Sequence, residues 1–234
     1  MPYYYGIDWT YVVIVLPVLI LAMIAQANVS STFSKYSKVK LYRSVTGAEA
    51  ARMILDRHGL YNVTIEHVSG QLTDHFDPRS NVLRLSDSVY GSDSAAAVGV
   101  AAHEAGHAIQ YAEGYTPMRV RAAIIPACNL GSKLALPLFI IGLILSIPAL
   151  SYLGIAFFAL AAVFQAVTLP VEYNASNRAL KALEDSRRFN EAELKASKKV
   201  LNAAALTYVA ALATSLAQIF RLLILVGGSR NRRD

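Results

Sequence analysis

The stretch AVGVAAHEAGHAIQYAEGY, residues 97–115, is strongly apolar yet carries two histidines and two glutamates. His103 and His107 are four residues apart, and on a helix such residues share one face about 5 to 6 Å apart. This geometry suits two ligands of a tetrahedral zinc ion. Glu104 is rotated about 100° from His103 on a helix, where it is placed to contact a metal-bound water rather than the metal. The H-E-x-x-H pattern therefore predicts a zinc site on this helix.

A buried helix with incidental histidines is the alternative interpretation of this stretch. Three polar groups buried on so apolar a helix without partners would cost several kcal/mol, which favours the zinc site. The stretch is also long enough to resemble a membrane span, but the same groups would be costly against lipid. We therefore expect the helix to lie within the protein, capped by Ser92 or Asp93 and ended by Gly114.

Zinc requires a third protein ligand, which the H-E-x-x-H pattern does not supply. A metzincin would continue as H-x-x-G-x-x-H, but Gln110 and Glu113 occupy the third and sixth positions after His107, which excludes that class. Glu113 lies near the helix end and is more typical of a solvated residue, and His75 is another candidate. Glu172 is the favoured ligand, because it is the first charged residue after a long apolar segment. Its alternative role is that of an acid at the membrane border.

Four long segments contain no charged residue and indicate an integral membrane protein. The chain has 234 residues, of which 55% are hydrophobic, and its mean hydropathy is +0.39. Each segment approaches the roughly 20 residues that a membrane-spanning helix needs. The segments are residues 9–27, 134–150, 152–171 and 200–220. Neither lysine nor arginine precedes the first segment, which is typical of a retained anchor rather than a signal peptide.

Basic residues flank these segments unevenly, which predicts the orientation of the chain in the membrane. Asp8 is the only charged side chain in residues 1–8. Four basic residues follow the first segment: Lys35, Lys38, Lys40 and Arg43. The loop 172–199 is also basic, so we expect the N-terminus outside and both this loop and residues 28–130 in the cytoplasm. If the last segment crosses the membrane completely, the tail SRNRRD lies outside despite its three arginines, contrary to the rule that basic residues stay in the cytoplasm.

Membrane orientation also explains the net charge of +6. The basic residues cluster beside membrane segments, where they set orientation and favour contact with the lipid bilayer. We therefore expect no nucleic-acid partner.

Residues 134–171 are too long for a single membrane helix. At 1.5 Å per residue such a helix would measure about 55 Å, against a hydrocarbon core of about 30 Å. We expect a hairpin that turns near residues 148–151. This hairpin would return Glu172 to the side of the membrane on which His103 lies.

Residues 44–115 have the pattern of a compact α+β unit. Thr46 and Glu49 form a capping box that begins a helix ending at Gly59. YNVTIEHV and VLRLS have the composition of short strands, separated by the turn-rich SGQLTDHFDPRSN. NVLRLS is either an edge strand that aligns an extended substrate or an ordinary sheet strand.

The predicted fold class is a mainly α integral membrane protein, in which about four transmembrane helices carry a small α+β zincin-like catalytic unit. The expected parts are an N-terminal anchor, a cytoplasmic α+β unit with the H-E-x-x-H helix, a transmembrane hairpin, a helix with the third zinc ligand, and a C-terminal membrane helix with a basic tail. Their bounds, in order, are 1–27, 28–130, 131–171, 172–199 and 200–234.

Four motifs carry a resemblance to a known family: LTDHFDPRSNVLRLS, VAAHEAGHAIQYAEGY, LPVEYNASNRAL and LNAAALTYVAAL. In this order among these spans, they resemble the YugP-type membrane zinc metallopeptidases of bacteria, and the resemblance covers nearly the whole chain. More distantly, the arrangement is similar to the gluzincin membrane peptidases related to the HtpX and CAAX prenyl proteases. In that group a glutamate far downstream completes the H-E-x-x-H site.

The resemblance implies a membrane-embedded zinc endopeptidase that cleaves peptide or protein substrates. His103, His107 and Glu172 would hold Zn²⁺, and Glu104 would be the general base for a zinc-activated water. The site would lie on or near the cytoplasmic side of the bacterial cell membrane. The alternative is a non-catalytic membrane scaffold or regulatory protein with a structural zinc, which a fourth protein ligand would favour.

Two features of the resemblance concern residues around the zinc ligands. The distant group usually carries an aspartate four residues after the third ligand, where this chain has Ser176. Asn174 or Ser176 is the expected replacement as the hydrogen-bond partner of a zinc-binding histidine. Tyr208 is a candidate donor to the oxyanion, with packing inside the helix bundle as its alternative role.

Overall fold

The structure, a computed structural model, describes residues 9–230 and the side chains of residues 9–227. Asp8 and residues 231–234, on which part of the expected orientation rests, lie outside the described residues. The chain begins with a π-helical segment, Tyr11–Val15. The elements that follow are α1 (Leu16–Tyr36), α2 (Gly47–Arg57), β1 (Thr64–Val68), β2 (His75–Asp77), β3 (Val82–Ser86), α3 (Ala95–Ala112), α4 (Thr116–Ile144), α5 (Pro148–Asp185) and α6 (Glu191–Arg230).

Among the described residues, four helices are long and apolar enough to cross a membrane: Tyr11–Tyr36, Thr116–Ile144, Pro148–Asp185 and Glu191–Gly227. This confirms the predicted mainly α class, and the four candidate spans agree with the expected number of about four. The H-E-x-x-H helix α3 is not among the four. Most of α3 is buried against protein, which agrees with the expectation that it lies within the protein.

Two compact units divide the chain. The helical unit comprises Met1–Ala25, Val120–Leu169 and Thr207–Asp234. The α+β unit comprises Gln26–Arg119 and Pro170–Leu206, and therefore includes the whole of α3 together with Glu172.

Within the helical unit, α4 and α5 pack closely against each other. A side-chain carbon at Gly154 would lie 2.7 Å from the carbonyl oxygen of Ala135, so only glycine permits this approach. α4 ends at Ile144 and α5 begins at Pro148. The chain therefore turns over residues 145–147, slightly before the expected residues 148–151.

Within the α+β unit, three strands form a sheet in the order β1-β3-β2. β3 pairs in parallel with β1 and antiparallel with β2. Because β3 is the middle strand, the interpretation of NVLRLS as an edge strand is wrong and its reading as an ordinary sheet strand is confirmed. The edge strand β2 lies inside the segment that the sequence marked only as rich in turns.

The ends of α2 follow the sequence signals. Thr46 and Glu49 form the predicted capping box, with the Glu49 N–H donating to Thr46 Oγ1 and the Thr46 N–H donating to Glu49 Oε2. Gly59, just after the helix, has a φ of 72°, a conformation that favours glycine.

The start of α3 differs from the prediction. Its cap is Ser94, whose Oγ accepts the Ala97 N–H at 3.2 Å. Asp93 is instead paired with Lys40, and the hydroxyl of Ser92 donates to Ser94. Asp93 is thus engaged by a residue distant in sequence, whereas Ser92 bonds locally to the residue that caps the helix.

The expected helix of residues 172–199 is divided between two elements. Glu172 lies inside α5, which continues from the third apolar segment to Asp185, and α6 begins at Glu191. Asn190 and Glu193 form a reciprocal capping box at the start of α6, which gives the new helix its own beginning.

Candidate metal centre

α3 and α5 bring together the side chains of His103, His107 and Glu172. One ligand atom from each residue lies within 4.8 Å of the other two. Glu172 Oε2 is 3.2 Å from His103 Nε2 and 3.5 Å from His107 Nε2. The site is enclosed, since Glu172 is only 3% exposed and His107 is 9% exposed.

These distances fit a zinc ion. Bonds of about 2.0–2.1 Å to nitrogen and oxygen place the corners of a tetrahedron about 3.3 Å apart. The separations of 3.2 and 3.5 Å between Glu172 and the two imidazoles lie on either side of that value. Two imidazoles and one carboxylate are also a ligand set typical of catalytic zinc sites. The residue types and these two separations therefore suit zinc.

The other ring nitrogen of each histidine has its own partner. His103 Nδ1 lies 3.1 Å from Ser176 Oγ, and His107 Nδ1 lies 3.0 Å from Gln110 Oε1. When these Nδ1 atoms carry the hydrogen, both Nε2 lone pairs point toward Glu172 and are available to a metal.

A glycine on α3 allows α5 to come this close. A side-chain carbon at Gly106 would lie 2.6 Å from the backbone oxygen of Ala175. Since a backbone oxygen cannot move aside as a flexible side chain can, the position requires glycine. Gly106 thus sets the separation of the two helices that carry the candidate ligands.

Glu104 lies beside the cluster without belonging to it. In the part of the chain that the structure describes, the group able to hold a metal contains only the two histidines and Glu172. Glu104 Oε2 accepts the backbone N–H of Phe76, in β2, at 3.1 Å. The sheet edge therefore orients this carboxylate, which is 9% exposed.

The surrounding charges affect the protonation of His107. Burial by itself lowers its pKa, but the contact with Glu172 and the negative charge of Glu104 outweigh burial and raise the pKa above the ordinary value of 6.5. A proton therefore competes with a metal ion for this imidazole.

The remaining candidate residues occupy different places. The Oδ1 of Asn174 accepts from Gln110 Nε2 at 2.9 Å, whereas the hydrogen-bond partners of the histidine rings are Ser176, Glu172 and Gln110. Among residues 9–227, neither His75 nor Glu113 joins the metal-binding group. Tyr208 is half-buried in α6 and belongs to the helical unit, so its oxyanion role stays a prediction.

Gln110 is the site residue that the sequence reasoning missed. The sequence shows it only as a mismatch to the metzincin pattern, but in the structure it is fully buried and contacts His107. Its spacing offered a signal, because a residue three positions after His107 lies on the same helix face.

Comparison with known proteins agrees with this geometry. Residues 11–227 match the family described as "Putative neutral zinc metallopeptidase". The chain is 46% identical over 207 residues to "Putative membrane protease YugP" of Bacillus subtilis (strain 168), covering 88% of this chain and 92% of that protein. No solved structure matches the chain.

Proposed function

The chain belongs to this family of neutral zinc metallopeptidases, and we propose that it is a membrane-embedded endopeptidase of the gluzincin type. The observation that carries the proposal is the cluster of His103, His107 and Glu172, in which the Glu172 carboxylate lies 3.2 and 3.5 Å from the two imidazoles, close to the spacing of zinc ligands. Zinc is the cofactor of the family and the ion that this cluster suits.

In this proposal His103, His107 and Glu172 would hold the zinc ion. Zinc in such a site polarises the carbonyl of the scissile peptide bond and lowers the pKa of water. The two imidazoles contribute neutral Nε2 atoms, and Glu172 contributes the negative charge that partly balances the ion.

Glu104 moves the proton. Its carboxylate accepts a proton from the attacking water and afterwards donates it to the amine that leaves. The Phe76 N–H holds Glu104 Oε2, so the carboxylate is oriented before substrate binds. The surrounding burial excludes bulk water, which strengthens the interactions of the charged groups.

The proposal places the site at the cytoplasmic side of the membrane. The support is the uneven distribution of basic residues, with Lys35, Lys38, Lys40 and Arg43 after the first span and a second basic loop at 172–199. Peptide or protein segments that reach the membrane surface from the cytoplasm would be the substrates.

A structural zinc in a non-catalytic membrane scaffold has less support. Structural sites usually take four protein ligands. Over residues 9–227 the cluster supplies three, and a carboxylate suited to a general base lies next to His103 in sequence.

The test is cleavage of an unfolded protein by the purified chain in detergent with stoichiometric zinc. We expect Glu104→Gln to fold and bind zinc but to lose nearly all cleavage, since the amide cannot accept the proton. Glu184→Gln, the same change at an exposed position of α5, should cleave like wild type. Equal cleavage by Glu104→Gln and wild type would refute the mechanism.

A further inference from the structure

We propose that Gln110 is a positioning residue that holds the imidazole of His107 in the tautomer able to bind zinc. The inference rests on the proposed function in one respect, that His107 is a zinc ligand. It assigns a role to a buried amide that lies outside the ligand set and outside the H-E-x-x-H motif.

The backbone of α5 fixes the orientation of the Gln110 amide. Gln110 Nε2 lies 2.8 Å from the carbonyl oxygen of Val171, the residue before Glu172. A carbonyl oxygen only accepts hydrogen bonds, so the amide nitrogen must face it. The amide oxygen is then directed toward the other side, where His107 lies.

A second contact gives the same orientation. Gln110 Nε2 also lies 2.9 Å from Asn174 Oδ1, which accepts the Nε–H of Arg178 at 2.7 Å. A guanidinium only donates, so it is the oxygen of Asn174 that faces both partners. Glu113 in turn holds Arg178 through an ion pair of 2.6 Å. The ion pair therefore fixes Arg178, Arg178 fixes the oxygen of Asn174, and that oxygen fixes the amide nitrogen of Gln110.

The oriented amide decides which ring nitrogen of His107 carries the hydrogen. Gln110 Oε1 lies 3.0 Å from His107 Nδ1 and can only accept. Nδ1 must then be the donor, and in a neutral imidazole this leaves the lone pair on Nε2. Nε2 is the atom that lies 3.5 Å from Glu172 Oε2, inside the metal cluster. Gln110 thus keeps the lone pair of His107 directed at the metal.

Gln110 also connects the two helices that carry ligands. Its main chain belongs to α3, three residues after His107, and its side chain bonds to α5 beside Glu172. Loss of the amide would free the His107 ring to rotate and would remove the hydrogen bond between α3 and α5. Partners of this kind typically contribute 10- to 100-fold to metal affinity.

The experiment compares zinc dissociation constants, measured by competition with a chelator, and the visible spectra of the cobalt-substituted proteins. Gln110→Met preserves volume but removes donor and acceptor, and we expect zinc to bind about 10- to 100-fold more weakly with an altered cobalt spectrum. Gln218→Met makes the same chemical change in α6, within the helical unit, and should match wild type in both measurements.

A second variant separates hydrogen bonding from packing. Gln110→Glu keeps an acceptor oxygen opposite His107 Nδ1, so we expect it to bind zinc more tightly than Gln110→Met. Its charged oxygen should also change the cobalt spectrum relative to wild type. If Gln110→Met does not fold, the spectrum of Gln110→Glu alone tests the inference.

Three results would overturn the inference: wild-type zinc affinity in folded Gln110→Met, equal affinity in the two Gln110 variants, or an unchanged cobalt spectrum in Gln110→Glu. Neither measurement involves peptide cleavage. A wild-type chain that binds zinc but cleaves no peptide would refute the proposed function and leave this inference standing.

Discussion

Ser176 Oγ lies 3.1 Å from His103 Nδ1, and Ser176 follows Glu172 by four residues on α5. Residues four apart on a helix share one face. A single turn of α5 therefore supplies one proposed zinc ligand and the hydrogen-bond partner of another. Of the two residues that the sequence offered for this role, Ser176 makes the direct contact, whereas Asn174 acts one step away through Gln110.

Two replacements of Ser176 should differ in the strength of zinc binding. Ser176→Ala removes the acceptor of the His103 Nδ1–H, and we expect zinc to bind about 10- to 100-fold more weakly. Ser176→Asp supplies a carboxylate that raises the basicity of the ligand, so it should bind zinc more tightly than Ser176→Ala. Chelator competition measures both. Ser132→Ala, an exposed serine bonded only to its own helix, is the control. Identical affinities in Ser176→Ala and wild type would contradict the assigned contact.

Gly106→Ala should destabilise the protein and weaken its zinc site. The added carbon would lie 2.6 Å from the Ala175 oxygen, and overpacking of this kind costs about 1–3 kcal/mol. Alanine recovers at most about 1 kcal/mol through its higher helix propensity. Thermal unfolding and zinc competition measure the two effects. Gly91→Ala is the control, because an added carbon there would have no neighbour within 4 Å. Unchanged stability and affinity in Gly106→Ala would show that the helices need not be so close.

Zinc affinity should fall as the pH decreases, and the fall should begin above pH 6.5, the ordinary pKa of an imidazole. The contact with Glu172 and the charge of Glu104 raise the pKa of His107 in the metal-free site despite burial. The protonated imidazole is therefore favoured without metal, and binding must release the proton.

The same pKa shift fixes the sign of the stability change. A raised pKa stabilises the metal-free fold below the unfolded pKa, and this stabilisation is lost as the pH rises through the folded pKa. Zinc should consequently raise the melting temperature more at pH 8 than at pH 6. Melting curves with and without zinc test this, and a larger zinc effect at pH 6 would contradict it.

Cysteine labelling tests the proposed orientation. In a Cys128→Ala background, Tyr61→Cys introduces a thiol at a residue that is 75% exposed in the α+β unit. A membrane-impermeant maleimide should label it only after the cells are lysed. Ile147→Cys, in the turn between α4 and α5, should be labelled in intact cells. Labelling of Tyr61→Cys in intact cells would contradict a cytoplasmic site.

Much of the site could be predicted from the sequence, because its signals are local. The H-E-x-x-H spacing places two imidazoles on one helix face, and the Thr46 capping box marks the start of α2. Glu172 was inferred from a resemblance and from the length of the apolar segments. The structure brings it to the histidines.

The features that could not be predicted depend on contacts distant in sequence. Ser94 caps α3, while Asp93 is paired with Lys40, which is distant in sequence. Strand β2 exists because β3 offers it a partner, although its own three residues lie among turn signals. The role of Gln110 likewise follows only once α5 supplies the Val171 oxygen.

The zinc content of two glutamine variants tests the central claim most directly. Wild type, Glu104→Gln and Glu172→Gln would be purified in detergent, loaded with zinc, dialysed and analysed by mass spectrometry. If Glu172 is a ligand and Glu104 acts on the proton, as we propose, zinc should remain in wild type and Glu104→Gln and be largely lost from folded Glu172→Gln. Full retention of zinc by Glu172→Gln would contradict the assignment of His103, His107 and Glu172 as the metal centre.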